Sequence, residues 1–471
     1  MRPFVPALLL WMGCPGEPGV DSEPVTPDSQ PGLDTQDSAP VEALAPVSGI
    51  AVSVHDRVST MLELSWTQDV DAELAWVEFG LEGETWLSTP PQARTAGAQS
   101  QMLLGMPALA EVGIRVVNQQ GDELLRSEEQ RVNTGALPED LPLPHLVHWD
   151  PSLGTAQPWL FGSLGINDRN WYAGPWYLYV MDRQARIVWY HPVPEGRCAM
   201  HARVALSGDH LLFEETTIYQ GDQGKGSLLR RMGLDFVRDE TILASGLGST
   251  FAELPDGAVL FDSYSDAPLI CLDELQPDGS RRRIWVCTDW LMQYDNQRPS
   301  QCDPNETIWV PETDSVIWSM WPIDTLVEVD RESGTVLKQL GALEGSWSFD
   351  PPSAGFDMQH YPYYTADGTL LVSTHVPGVS GQHRAMEYAV DTDTQTLREL
   401  WSYGDEVPHY PTYAGEALRL EGGNTLVNYG SDGALREITP DKRTAWQVEW
   451  DSSYLLGHVT LVDDLYALTG E

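Results

Sequence analysis

A chain of 471 residues exceeds one ordinary hydrophobic core, so its length predicts two domains or one large β-fold. Hydrophobic residues make up 42% and charged residues 21%, a globular composition, yet the net charge is -43. That acidity keeps the chain soluble and argues against nucleic acid and anionic membrane surfaces as partners. It also repels anionic substrates, so a site for one needs local positive charge. Lys225, Lys338 and Lys442 are the only lysines, which leaves arginine to supply most of it.

The N-terminus reads MRPFVPALLLWMGC, with Arg2 as a minimal basic region, an apolar run Val5–Met12, and Gly13-Cys14 closing it. A small residue before a cysteine, after an apolar run, resembles the lipobox of bacterial lipoproteins. The resemblance implies an exported cell-envelope protein lipidated on Cys14, touching a membrane only through that anchor. A plain signal peptide or merely a short apolar N-terminus is the other reading of residues 1–14. No other run is long and apolar enough to span a membrane. With Cys14 taken, Cys198, Cys271, Cys287 and Cys302 remain, an even number for an oxidising compartment. Cys271 and Cys287 flank the turn Pro277-Asp278-Gly279 almost symmetrically, which points to a bridge across a hairpin; four cysteines allow three pairings.

Residues 15–46 are Gly, Pro, Asp, Ser, Thr and Gln with hardly an aromatic, too polar to bury a core, and read as a disordered tether. Residues 47–135 alternate in short strands, IAVSV, MLELSW, AWVEFGLE, VGIRVVN and EEQRVN, at sandwich-like spacing. The order of Trp66, LLGMPAL and VGIRVVN resembles a fibronectin type III domain, which implies a spacer or docking module without chemistry. Residues 136–175 form a proline-punctuated linker and lead-in segment.

From residue 176 to 471 two modules alternate. One pairs short strands about a Gly or Asp turn, as in RVALSGDHLLF, AELPDGAVLF and YYTADGTLLVS. The other is a hairpin with a polar turn, as in YLYVMDRQARIVWY and MEYAVDTDTQTLRELW. Six of each, at a propeller-like period, predict an all-β chain: a six-bladed β-propeller preceded by a small β-sandwich. The series starts with the second module and ends with the first, so the chain's two ends would share a blade and leave no free sheet edge. A seven-bladed parse would recruit Trp159–Leu164.

A propeller brings the starts of its inner strands to one end of a central channel. His201, His360 and His458 stand at equivalent places in this alignment, three of 11 histidines. Together they read as a ring of imidazoles about the channel mouth; singly, each is a capping or packing residue. Arg384, just before a strand, is the candidate fixed cation. Cys302 to Glu306, CDPNE, occupies the same place in the third blade, and carboxylates beside histidines raise the question of a metal. No His-x-His, HExxH or Cys/His zinc spacing is present, so no metal is expected. A GxSxG elbow and phosphate-cradling glycine loops are absent too, and no cofactor is expected.

The stretch Gln359-His360, a turn at Asp367-Gly368, a strand, then RAMEYAVD running on to LWSYG resembles the bacterial aryl-sulfate sulfotransferase family. The resemblance extends from about residue 176 to the end and is sharpest through this one blade. It implies an enzyme that passes a sulfuryl group from an aryl sulfate to a phenol through a sulfated histidine, without a nucleotide donor. His360 and Arg384 match the family's catalytic positions, with Gln359, Asp303 and Asn305 as substrate-binding candidates. Two departures stand out. The family's His-x-Asn reads Asp303-Pro304-Asn305 here, and Asn428–Ile438, where the family's nucleophile is expected, contains no histidine. A sulfohistidine would then fall to His409, His201 or His458. The rival reading is a catalytically silent propeller that binds a ligand or an envelope partner at the same mouth.

Overall fold

Where apolar runs meet Gly and Asp turns, the computed structural model forms antiparallel strands. Gly257 and Gly368, in Pro-Asp-Gly and Ala-Asp-Gly turns, sit at φ 82 and 74, which residues with a Cβ seldom adopt. The structure describes residues 44–166, 174–376, 382–404, 407–412, 414–451 and 454–470. Cys14 and residues 15–43 of the tether lie outside them, while Leu44 bridges Arg126 and Ala45 is buried, so the folded part begins before residue 47. No helix among the described residues is long and apolar enough to cross a membrane.

Beyond residue 140 the chain has a β-propeller arrangement of antiparallel sheets, each starting from an inner strand. The inner strands are Arg203–Val204, Leu247–Glu253, Glu306–Val310, His360–Tyr364, Glu416–Arg419 and Tyr454–Val462. Each is followed outward by three more antiparallel strands, as in Glu306–Val310, Ser315–Met320, Thr325–Asp330 and Val336–Gly341, and the His360–Tyr364 sheet gains a parallel edge strand, Ser348–Asp350. Interior positions are apolar on both sheet faces, with Trp176, Trp189, Trp318 and Trp446 fully buried between neighbouring sheets.

Two strands come from the stretch expected to be linker. Trp159–Ile166 pairs with the C-terminal Tyr454–Val462 on one side and Trp176–Asp182 on the other. His145–Trp149 adds a fifth strand to the sheet of residues 416–449. The chain's two ends do share one sheet, but the partner of the last strand precedes residue 176. The segment after it, Tyr466–Leu468, is a 3-10 turn rather than a strand. A strand and its partner almost 300 positions away leave no local turn signal.

Residues 47–133 form two further sheets over one core of Leu62, Leu64, Trp66, Val77, Phe79, Ile114 and Val116. They are fixed to the propeller. Thr60 donates to the Val188 carbonyl at 2.7 Å, the Ser59 amide donates to the Tyr190 hydroxyl at 3.1 Å, and Val58, Met61 and Leu104 join the propeller's core.

The expected Cys271–Cys287 bridge does not form. Cys271 lies opposite Val286, and Cys287 turns away as the first residue of the helix Cys287–Leu291. Cys287 bonds Cys302 instead, and Cys198 and Cys271 are buried thiols.

Candidate active site

The inner strands surround a cavity of about 430 Å³. His201, His360 and His458 all face it, with Asp303 and Asn305. Its walls are aromatic and sulfur-bearing, formed by Tyr219, Trp321, Tyr361, Met200 and Met358, and two carboxylates, Glu306 and Glu416, open onto it. Three of these wall residues, Met358, Tyr361 and Ala414, hold positive φ values of 49, 47 and 64. Such backbone strain persists where surrounding structure enforces it, and it concentrates at functional sites.

His360 begins its inner strand, paired across from Ser373. Its Nδ1 lies 2.9 Å from the Met358 carbonyl, a partner that only accepts, so Nδ1 carries the proton. Nε2 is left with its lone pair and no partner among the described residues. Burial, opposed by that carbonyl bond and aided by His375 and His201, lowers the ring to about 4. His360 is a neutral imidazole at physiological pH.

His201 is the opposite case. The Met200 and His201 amides donate to Glu214 Oε1 at 2.6 and 3.0 Å, which fixes the loop and suspends the ring between two carboxylates. Nδ1 lies 3.7 Å from Glu214 and Nε2 3.5 Å from Glu306. Burial works against the charged ring, but Glu306 and Glu214 outweigh it and lift it to about 9. Arg203 donates to the same Glu306 at 3.3 Å. The site thus holds a neutral and a cationic imidazole together.

His458 is within its strand rather than before it. Gly162 pairs with Val459 and Leu164 with Leu456, so Gly457 and His458 bulge opposite the single residue Ser163. The bulge aims His458 inward, and a Cβ at Gly457 would strike the Met200 carbonyl and Ser163. His458 Nδ1 sits 2.6 Å from Glu416, and Tyr361 stacks on the ring at 4.8 Å.

The other expected site residues fall elsewhere. Gln359 is fully buried and braces the wall: its amide donates to Ser319 Oγ and the Thr325 carbonyl, both at 3.3 Å, and its own carbonyl accepts from Asn305 Nδ2 at 2.6 Å. His409 stands outside the cavity lining, 2.6 Å from Asp432 and packed on Tyr429. Arg384 is also absent from the lining; it lies on the third strand of its sheet, opposite Thr374, with Nη1 3.9 Å from Met386 Sδ. Successive strand residues face opposite sides. Its neighbour His383 lies on the other face, with Nε2 2.6 Å from Ser373 Oγ, directly behind the cavity residue Gly415. Glu306, raised in the sequence only as part of Cys302–Glu306, and Glu416, which the sequence reading missed, are first residues of their inner strands as His360 is of its own, so the same repeat alignment marks them. Among the described residues no group of three or more His, Cys, Asp or Glu is placed to hold a metal.

No protein-family model and no curated protein matches the chain. Solved structures similar to it include virginiamycin B lyase from Staphylococcus aureus, at 13% identity over 64% of this chain and 95% of that one, TM-score 0.37. A Lactobacillus plantarum protein covers 81% and 99% at 10% identity, TM-score 0.38. Kluyveromyces lactis Hsv2 covers 76% and 95% at 10% identity, TM-score 0.33. The account of the fold rests on the strand pairing itself.

Proposed function

We propose that this chain is an aryl-sulfate sulfotransferase-like enzyme that moves a sulfuryl group from an aryl sulfate to a phenol inside the His360 cavity. The observation that carries the reading is the His360 ring: neutral, pinned through Nδ1, and offering Nε2 to an aromatic-walled cavity. A nucleophile needs that lone pair. His201 is protonated, His458 is engaged by Glu416 and Tyr361, and His409 is outside the lining, which leaves His360 as the sulfuryl carrier. The His201 cation, with Arg203 behind it, faces the sulfuryl oxygens in place of Arg384. Tyr361, Tyr219 and Trp321 are the surfaces for aryl rings.

The same reading includes a six-bladed propeller, for which the support is six sheets with six inner strands, and a fibronectin type III-like sandwich before it, supported by two sheets over one core. It includes export and a lipid on Cys14; the buried Cys287–Cys302 disulfide favours an oxidising compartment.

The test is release of 4-nitrophenolate from 4-nitrophenyl sulfate by the purified full chain, with phenol as acceptor, beside His360→Ala. Phenol-dependent turnover lost in the variant is the expected result. Absence of turnover with any phenol overturns the reading. It would favour the second one, a silent cavity that binds a neutral aryl ligand, for which the clustered carboxylates Glu214, Glu306 and Glu416 and the remote Arg384 speak.

A further inference from the structure

One carboxyl of the cavity has no role in the chemistry above. Asp303 stands where its loop is held from both sides. Before it, Cys302 is bonded to Cys287 and its carbonyl accepts from Trp318 Nε1 at 3.2 Å. After it, Asn305 is tied to the Gln359 carbonyl at 2.6 Å. The carboxyl therefore has little freedom to leave the cavity wall.

We propose that Asp303 is the acid that hands a proton to the departing aryl oxygen and takes one back from the accepting phenol, an inference that rests on the sulfuryl-transfer reading. Around it, the Tyr264 hydroxyl donates to Oδ1, the Trp321 side chain donates as well, and Tyr219 stands nearby. These are uncharged groups. The charged ones are Asp262 on the neighbouring inner hairpin, which accepts the Ser249 and Thr250 amides, and, further across the cavity, His201 and Glu306. Burial lifts Asp303 above the usual carboxylate range. Asp262 is lifted by its own burial, against its two amide bonds, and by Asp303. For Asp303 it is burial, against the bonds from Tyr264 and Trp321, that favours the protonated form, and a retained proton is what an acid catalyst requires.

The steps balance. The His360 Nε2 lone pair forms a bond to sulfur, the bond from sulfur to the aryl oxygen breaks, and its electron pair goes to that oxygen with the Asp303 proton. The phenol leaves, with an N-sulfo-imidazolium and an Asp303 carboxylate behind it. In the return step the accepting phenol gives its proton to Asp303 as its oxygen bonds sulfur, and the nitrogen–sulfur electron pair returns to Nε2. The enzyme ends as it began.

The experiment compares Asp303→Asn with the wild type on 4-nitrophenyl sulfate, whose phenolate leaves unaided, and on phenyl sulfate, whose phenolate needs the proton. The reading is single-turnover release of the first phenol, which leaves out the acceptor step common to both donors, and the expected result is a loss of about 100-fold or more on phenyl sulfate and less than about tenfold on the nitrophenyl donor. An equal loss on both donors, as a merely structural role gives, overturns the proposal; so does no loss. Tyr264→Phe keeps the carboxyl but removes a donor to its ionised form. It should carry the alkaline fall of phenyl sulfate turnover to higher pH, and an unmoved profile also overturns the proposal. A wild type without turnover fails earlier, at the sulfuryl-transfer reading, and is distinguishable from failure in the variant alone.

Discussion

On the outer strands of the second sheet, Asp273 accepts from both Arg281 and Arg283, and Glu274 accepts from Arg282 at 2.6 Å and from Arg331 of the next sheet at 2.9 Å. In the third, Glu328 collects Lys338, Tyr364 and Ser315. At the cavity the same residue types are arranged differently. His360 keeps a bare Nε2, Asn305 Oδ1 is buried without a partner, and three non-glycine residues hold left-handed backbone. Completed clusters hold sheets together, whereas incomplete ones spend stability on keeping a group available. These paired carboxylates are thus scaffold, and the cavity is where pairing stops short.

The contrast can be broken from either side. The largest effect expected is at the incomplete end: His360→Ala should cut aryl-sulfate turnover by a factor of about 1,000 or more, measured as kcat, with a melting temperature close to wild type. Next is a buried carboxylate with both oxygens paired. Glu437, fully buried, accepts from Arg183, from the Thr155 amide at 2.7 Å and from Asn424 at 2.6 Å. Glu437→Ala leaves the buried Arg183 uncompensated and should cost about 3–5 kcal/mol in denaturant unfolding. Ligand binding by the protein that remains folded should not change.

Opening the Cys287–Cys302 bridge, sequence separation 15, with a double Ser substitution should cost about 3 kcal/mol by the loop-closure argument, read by chemical denaturation without reductant. For His201 the sign follows from its pKa. The folded value of about 9 is above the ordinary 6.5, so its stabilisation is complete below pH 6.5 and is lost as pH rises through 9. The stability gap between wild type and His201→Asn, about 1–3 kcal/mol at pH 6, should therefore close by pH 10. A gap that persists would show that the ring acts by packing alone. The smallest effect is expected at Arg384→Ala, less than about threefold in turnover, because the guanidinium lies outside the cavity lining. A large loss there would restore Arg384 to the reaction and undo the contrast.

Much of this was legible in the residues themselves. Alternating apolar runs and Asp-Gly turns are local signals, written within ten residues of the strands they make, so the β class and the repeated hairpins could be read directly. Register across repeats placed His201, His360 and His458 at one mouth, and the structure gathers all three into one cavity. What the residues could not show is whatever depends on distant pairing or on a side chain's direction. Trp159–Ile166 is a strand of the closing sheet because Tyr454–Val462 comes round to it. Cys287 finds Cys302 because a helix intervenes where a hairpin was expected to continue. Arg384 and His383 are neighbours in sequence, and the two-residue period of a strand sends them to opposite faces of the sheet, only one of which backs onto the cavity residue Gly415, a choice made only when the sheet packs. The charge states were decided at the same stage. Two imidazoles of one residue type became neutral and cationic because burial dominates at one and two carboxylates outweigh it at the other.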